Sequence, residues 1–187
     1  MADRYGFSRS RRGVVRLTLE PSDVAVLDQL LEQLIVLLEP DGADAHDQLD
    51  PLAALVGIGT ATQTPDDPAL ARLLPDAYGD DAEASSEFRR YTELSLREQK
   101  QANAELARET LSGAGRDDLG PDALDAWLRS LNDLRLALGT RLEVTEDLEA
   151  EWAELELLDD DDPRRVMHHV YDWLGFLQGT LLRSLDG

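Results

Sequence analysis

The sequence predicts a mainly α protein, a single-domain helical bundle with one long helix and a small N-terminal β-hairpin or strand. Three observations carry this. Apolar residues recur at helical spacing through most of the chain, prolines stand repeatedly where a helix begins, and the first nineteen residues alone alternate with a period of two. At 187 residues the chain is read as one domain over 1–187, with 1–19 a basic arm or hairpin and 40–67 a loop-rich segment.

In the first nineteen residues, Tyr5 and Phe7 alternate with polar neighbours. Val15, Leu17 and Leu19 then share one side of a strand, with Arg16 and Thr18 opposite. Two readings stand: a hairpin lid on the helical core, or an arginine arm (Arg4, Arg9, Arg11, Arg12, Arg16) that docks on phosphates. Pro21, Pro51, Pro68, Pro121 and Pro163 each fall where a missing N–H costs nothing. With Asp50, Asp67 and Asp162 as N-caps, they predict helices near 21–39, 51–56, 68–75, 121–138 and 163–185. Thr145 opens a further helix over 146–157, and Asp80 or Asp81 opens the longest, about 81–112.

On that longest helix, Phe88, Tyr91, Leu94 or Ser95, Ala102 and Leu106 form an apolar stripe that Glu98 and Gln99 interrupt. Either Glu98 pairs with an arginine of the 127–141 segment across a partly buried interface, or the stripe winds into solvent there. Arg89 with Glu93, and Glu93 with Arg97, read as surface i,i+4 pairs worth tenths of a kcal/mol. The least generic stretch is WLRSLNDLRLALGTR, Trp127 to Arg141. Trp127, Leu131, Leu134 and Leu138 line one face beside Asn132, Asp133, Arg135 and Arg141, with Gly139 and Thr140 read as its break or cap. The last helix turns Val166, Val170, Trp173, Leu174, Leu177 and Leu181 inward to close the core.

Charge and composition narrow the function classes. The net charge is −21, but residues 1–19 carry +4, leaving 13 basic and 38 acidic residues in the remainder. Such a body repels nucleic acid, so DNA contact belongs on the N-terminal arginines, with Arg89, Arg90 and Arg97 next in line. The absence of cysteine excludes disulfides, thiolate metal sites and thiol redox sensing; Met167, the only internal methionine, is a weak substitute. His168 and His169 point about 100° apart on a helix, and His46 falls in a loop. No nucleophile elbow, P-loop, dinucleotide fingerprint or zinc-protease motif occurs, and the aspartates at 159–162 lack calcium-loop spacing. The expectation is therefore a non-enzyme with no cofactor, no metal and no small-molecule substrate. Its candidate partners are DNA, a protein partner or a second copy. No membrane span or signal segment is read, which places the chain in the cytoplasm.

Four stretches, DAY (76–78), EFRRYTE with LR (87–93, 96–97), AWLRSLNDLRLALGTRLEVTED (126–147) and YDWLGFLQ (171–178), resemble an actinobacterial domain-of-unknown-function family that includes actinomycete oxidative stress regulators. The resemblance implies a non-enzymatic regulator acting on transcription, often encoded near a Clp protease adaptor and sulfur-assimilation genes. The family-motif residues it brings forward, structural or functional, are Arg89, Arg90, Glu98, Asn132, Asp133, Arg135, Thr140, Arg141 and Trp173. A cysteine-pair oxidant sensor is not available to this chain. Asn132, Arg135, Thr140 and Arg141 are expected to fasten the central helix to the long one. The alternative reading is a protein-interaction or adaptor module, in which the long helix and the acidic surface engage a partner.

Overall fold

The computed structural model describes residues 5–40, 63–78, 81–144, 155, 159 and 161–186. An antiparallel hairpin, β1 (Gly6–Arg9) and β2 (Val15–Thr18), precedes five helices among the described residues. These are α1 (Pro21–Leu37), α2 (Pro68–Leu73), α3 (Ala82–Leu111), α4 (Pro121–Arg141) and α5 (Pro163–Asp186). The mainly α bundle with a small N-terminal hairpin is thus the observed class. None of these helices is long and apolar enough to cross a membrane. The helices read at 51–56 and 146–157, together with Arg4, His46, Thr145 and Trp152, lie outside the described residues; Leu155 is described, helical and buried.

Local chemistry sets the helix ends. Asp67 accepts from the N–H groups of Ala69 and Leu70, Asp81 from that of Ala84, and Asp162 from that of Arg164, so orphan amides are satisfied by carboxylates. Gly139 does not break α4. The helix runs through it to Arg141, and the chain leaves at Glu143, a non-glycine residue with φ of 53°. Gly139 serves packing instead, because a Cβ there would meet the Tyr171 ring at 3.1 Å.

α4 is the hub, in contact with α1, α2, α3 and α5. Trp127 is fully buried at its centre, edge-on to Phe7 at 5.5 Å between ring centroids, and its indole N–H donates to Thr110 Oγ1 at 2.8 Å. The same core holds Leu31 and Leu34 of α1, Leu70 of α2, Ala104 and Ala107 of α3, and Leu174 and Leu177 of α5. The hairpin closes one side of this core. Its register pairs Phe7 with Leu17 and Arg9 with Val15, so the period-2 face turns inward, and Phe7, Val15 and Leu17 are buried. Leu119 bridges to Val15, and the Gly115 N–H donates to Leu17 O, which ties the α3–α4 loop to β2. Gly6, at φ +89° and against Thr180, lets β1 approach α5 closely enough for the Phe7 N–H to donate to Thr180 Oγ1 at 3.1 Å.

Candidate functional site: a buried charge ladder beside an apolar groove

The inward face of α3 is not the predicted apolar stripe. Phe88, Tyr91 and Ala102 face solvent, and the buried line is Ser85, Arg89, Glu93, Arg97, Ala104, Ala107 and Leu111. The i,i+4 pairs read as surface ornaments are therefore the polar core of this helix. Arg89 and Glu93 pair directly, and Arg97 Nε donates to Glu93 Oε1 at 2.9 Å, with Arg89, Glu93 and Arg97 each about 5–6 % exposed. Each guanidinium also captures a helix end. Arg89 reaches Leu74 O at 3.1 Å, at the end of α2, and Arg97 reaches Leu38 O and Glu39 O at 3.3 and 3.1 Å, past the end of α1. Cations at helix C-termini complement the macrodipole and fill carbonyls that lack an intrahelical partner.

Asp76 completes the ladder from the segment after α2, 2.6 Å from Arg89. Its carboxyl is held below the ordinary range by the Arg89 hydrogen bond first and Thr64 second. Burial opposes the charge on Arg89, but the hydrogen bonds it donates to Asp76 and Glu93 outweigh that and hold the guanidinium above its usual value. Ser85 pins the same segment, its hydroxyl donating to Tyr78 O at 2.6 Å and accepting from the Tyr78 N–H at 3.1 Å. Between this strap and α3 lies a groove of about 440 Å³, walled by Leu74, Pro75, Ala77, Phe88 and Leu96, with the Arg89–Glu93 pair in its lining.

The other family-motif residues divide as follows. Arg90 and Glu98 are exposed; no arginine of α4 pairs with Glu98 among the described residues, so the buried-pair reading fails for it and Glu93 is the buried acid instead. Asp133 is 4 % exposed and takes the Lys100 ammonium at 2.7 Å, a side-chain ion pair that fastens α3 to α4. Burial pushes the Asp133 carboxyl up, with Lys100 pulling against it. Asn132 is exposed, and the Thr140 hydroxyl donates to Leu136 O in its own helix, so neither grips α3. Arg135 turns to α5, where Nη1 donates to Gln178 Oε1 at 2.7 Å and the guanidinium sits 5.1 Å over the Tyr171 ring. Arg141 reaches Asp67 of α2 at 3.2 Å in an exposed pair. Arg135 and Arg141 serve different neighbours and do not converge on a common cleft. The Trp173 indole donates to Tyr5 Oη at 2.8 Å, and Tyr5, which donates to Asp23, is pushed up to about 12 by burial and then by that carboxylate.

The N-terminal arginines lie on a packed hairpin, so the lid reading describes their backbone. Arg16 pairs with Asp118 at 2.5 Å, and Arg9 Nη1 donates to Leu185 O at 3.4 Å. Arg11 and Arg12 stand exposed in the turn and form no ion pair with a described residue. Among the described residues no three His, Asp or Glu side chains gather as a metal-ligand set. Sequence reasoning missed Arg89, Glu93 and Arg97 as buried groups and half-buried Lys100 as the partner of Asp133. The repeat of charge at 89, 93 and 97 was visible, but the carbonyls that satisfy it come from helix ends more than a dozen residues away.

The comparisons with known proteins agree along the chain. The family described as "Domain of unknown function (DUF2017)" matches residues 4–185. Proteins named "Oxidative stress regulator AosR" from Mycobacterium bovis and Mycobacterium tuberculosis are each 33% identical over 187 residues, covering 92% of this chain and 82% of theirs. A Mycobacterium leprae relative is 31% identical over 185 residues, with 91% and 82% covered. No solved structure matches the chain. With a match that runs over nearly all of its 187 residues, the chain belongs to the DUF2017 family.

Proposed function

We propose that the chain is a non-enzymatic, cytoplasmic regulator of the oxidative stress response, acting on transcription through DNA contact at its hairpin. Two supports lie behind this. Its mycobacterial relatives are named oxidative stress regulators. The observation that carries the DNA contact is the hairpin tip, where Arg11 and Arg12, with Arg9 beside them, form an exposed basic point on a chain of net charge −21. The remaining charge confines phosphate contact to that point. A non-catalytic role fits the separation of Arg135 from Arg141, which leaves no shared anion site on α4.

A mobility-shift titration with DNA from the chain's own promoter region tests the DNA contact. Three arginine–phosphate contacts predict a log–log salt slope of about −2.7. Replacing Arg9, Arg11 and Arg12 by Ala abolishes the shift; a shift that persists in the triple variant removes the hairpin from the mechanism.

A further inference from the structure

The solvent side of α3 joins the apolar groove to a row of acids, and we infer that this face is a docking surface for a basic amphipathic helix of a protein partner. The apolar part comes first. Tyr78, Phe88 and Tyr91 are 51, 46 and 51 % exposed, and the Tyr78 and Phe88 rings meet edge-on at 6.0 Å beside the groove. A pocket of about 440 Å³, whose apolar wall is leucine, proline, alanine and phenylalanine and whose rim carries Thr92, Ser95 and Gln99, accepts a large apolar side chain. The three charged lining residues, Asp76, Arg89 and Glu93, are joined to one another through the Arg89 guanidinium, so none is left without a counter-ion and the anchor is neutral.

Charge complementarity names the rest of the occupant. Glu83, Glu87, Glu98, Glu105 and Glu109 are exposed on α3, against a single exposed cation on that helix, Arg90. None of the five glutamates forms an ion pair with a described residue. Glu87, Tyr91, Glu98, Ala102, Glu105 and Glu109 fall at steps of three, four and seven, so they follow one line along the helix for about 33 Å. A helix laid on that line sets its apolar stripe on Tyr91, Phe88 and the groove, and its Lys or Arg side chains against the glutamates, with further attraction to the aromatic faces. A second copy is disfavoured, since pairing α3 with itself opposes acid to acid, and DNA is excluded from this face for the same reason. This surface is independent of the hairpin, and either proposal survives the failure of the other.

The test uses the full chain and three synthetic peptides: a Leu/Lys sequence patterned as an amphipathic helix, its scrambled counterpart, and a Leu/Glu version with the same pattern. Calorimetric titration at low and high salt is expected to show one-to-one binding of the patterned Leu/Lys peptide, weaker binding as salt rises, and no binding of the Leu/Glu peptide. Phe88→Ala with Tyr91→Ala weakens binding about tenfold or more, as loss of aromatic anchors does. Glu87→Gln with Glu98→Gln, both exposed and so without effect on the fold, weakens it separately and flattens the salt dependence. Equal affinity for the scrambled peptide overturns the proposal, as does binding unchanged in both variant pairs. Sedimentation that shows the chain dimerising, with the dimer dissolved by Tyr91→Glu, assigns the face to a second copy and overturns it too.

Discussion

Glu93→Gln removes the one carboxylate that two buried guanidinium groups share, and its cost follows from what each arginine retains. Arg89 keeps Asp76 and the Leu74 carbonyl. Arg97 keeps only the carbonyls of Leu38 and Glu39, so a cation 6 % exposed loses its counter-ion. Breaking a buried pair on one side costs about 3–5 kcal/mol, since the remaining charge stays desolvated. In a chain of this length that lowers the melting temperature by roughly 6–20 °C. Urea titration of the variant should move the midpoint down while leaving the m-value unchanged, because the surface exposed on unfolding stays the same. The exposed Glu98→Gln, one turn away, serves as control and shifts stability by about 0.5 kcal/mol or less. Replacing Glu93 and Arg97 together by Leu and Met recovers much of the loss, as removal of both partners does elsewhere. Equal destabilisation by Glu93→Gln and Glu98→Gln would refute the buried ladder.

Trp127→Ala empties the centre of the core and strips Thr110 of its indole donor, for a loss of about 3–5 kcal/mol read by chemical denaturation. Gly6→Ala meets both a φ of +89° and Thr180 Oγ1 at 2.8 Å, so it costs more than about 1 kcal/mol, and faster amide exchange at Phe7 reports the loosened hairpin. The pH profile has two parts of opposite sign. Asp28 and Asp76, held below 3.8 chiefly by Arg108 and Arg89, and Asp162, held there chiefly by the Arg164 N–H, contribute stability that is complete above that value and is lost as pH falls through their native values. Asp133, raised above 3.8 by burial, contributes stability that is full below 3.8 and is lost as pH rises through its native value, so Asp133→Asn flattens the profile on that upper side in a urea-midpoint series.

Helix starts were legible because their chemistry is local. Pro21, Pro68, Pro121 and Pro163 open α1, α2, α4 and α5, and the carboxylates of Asp67, Asp81 and Asp162 cap where the sequence places them. The hairpin was legible for the same reason, since the alternation of Val15, Arg16 and Leu17 requires no knowledge of the rest of the chain. The orientation of α3 was not. An apolar stripe through Phe88 and Tyr91 is the natural inward face by periodicity, yet burial of Arg89, Glu93 and Arg97 wins because α1 and α2 end where those side chains can fill vacant carbonyls. That match joins residues 15 to 59 positions apart, and periodicity within one helix carries no trace of it. On α4 the polar crowding was visible, but the partner of each group was not: Asp133 found Lys100, the chain's single lysine, while Arg135 went to α5.

The ladder also governs how the helices slide. An interface of leucines alone tolerates displacement by a turn, because one leucine replaces another in the same hollow. Here a shift of α3 along α1 by one turn, about 5.4 Å, carries the Arg97 guanidinium off the two carbonyls that hold it and strands it in an apolar seam. The charged rungs thus act as index pins: they add little to net cohesion, yet they leave the bundle one alignment in which every pin finds its hole.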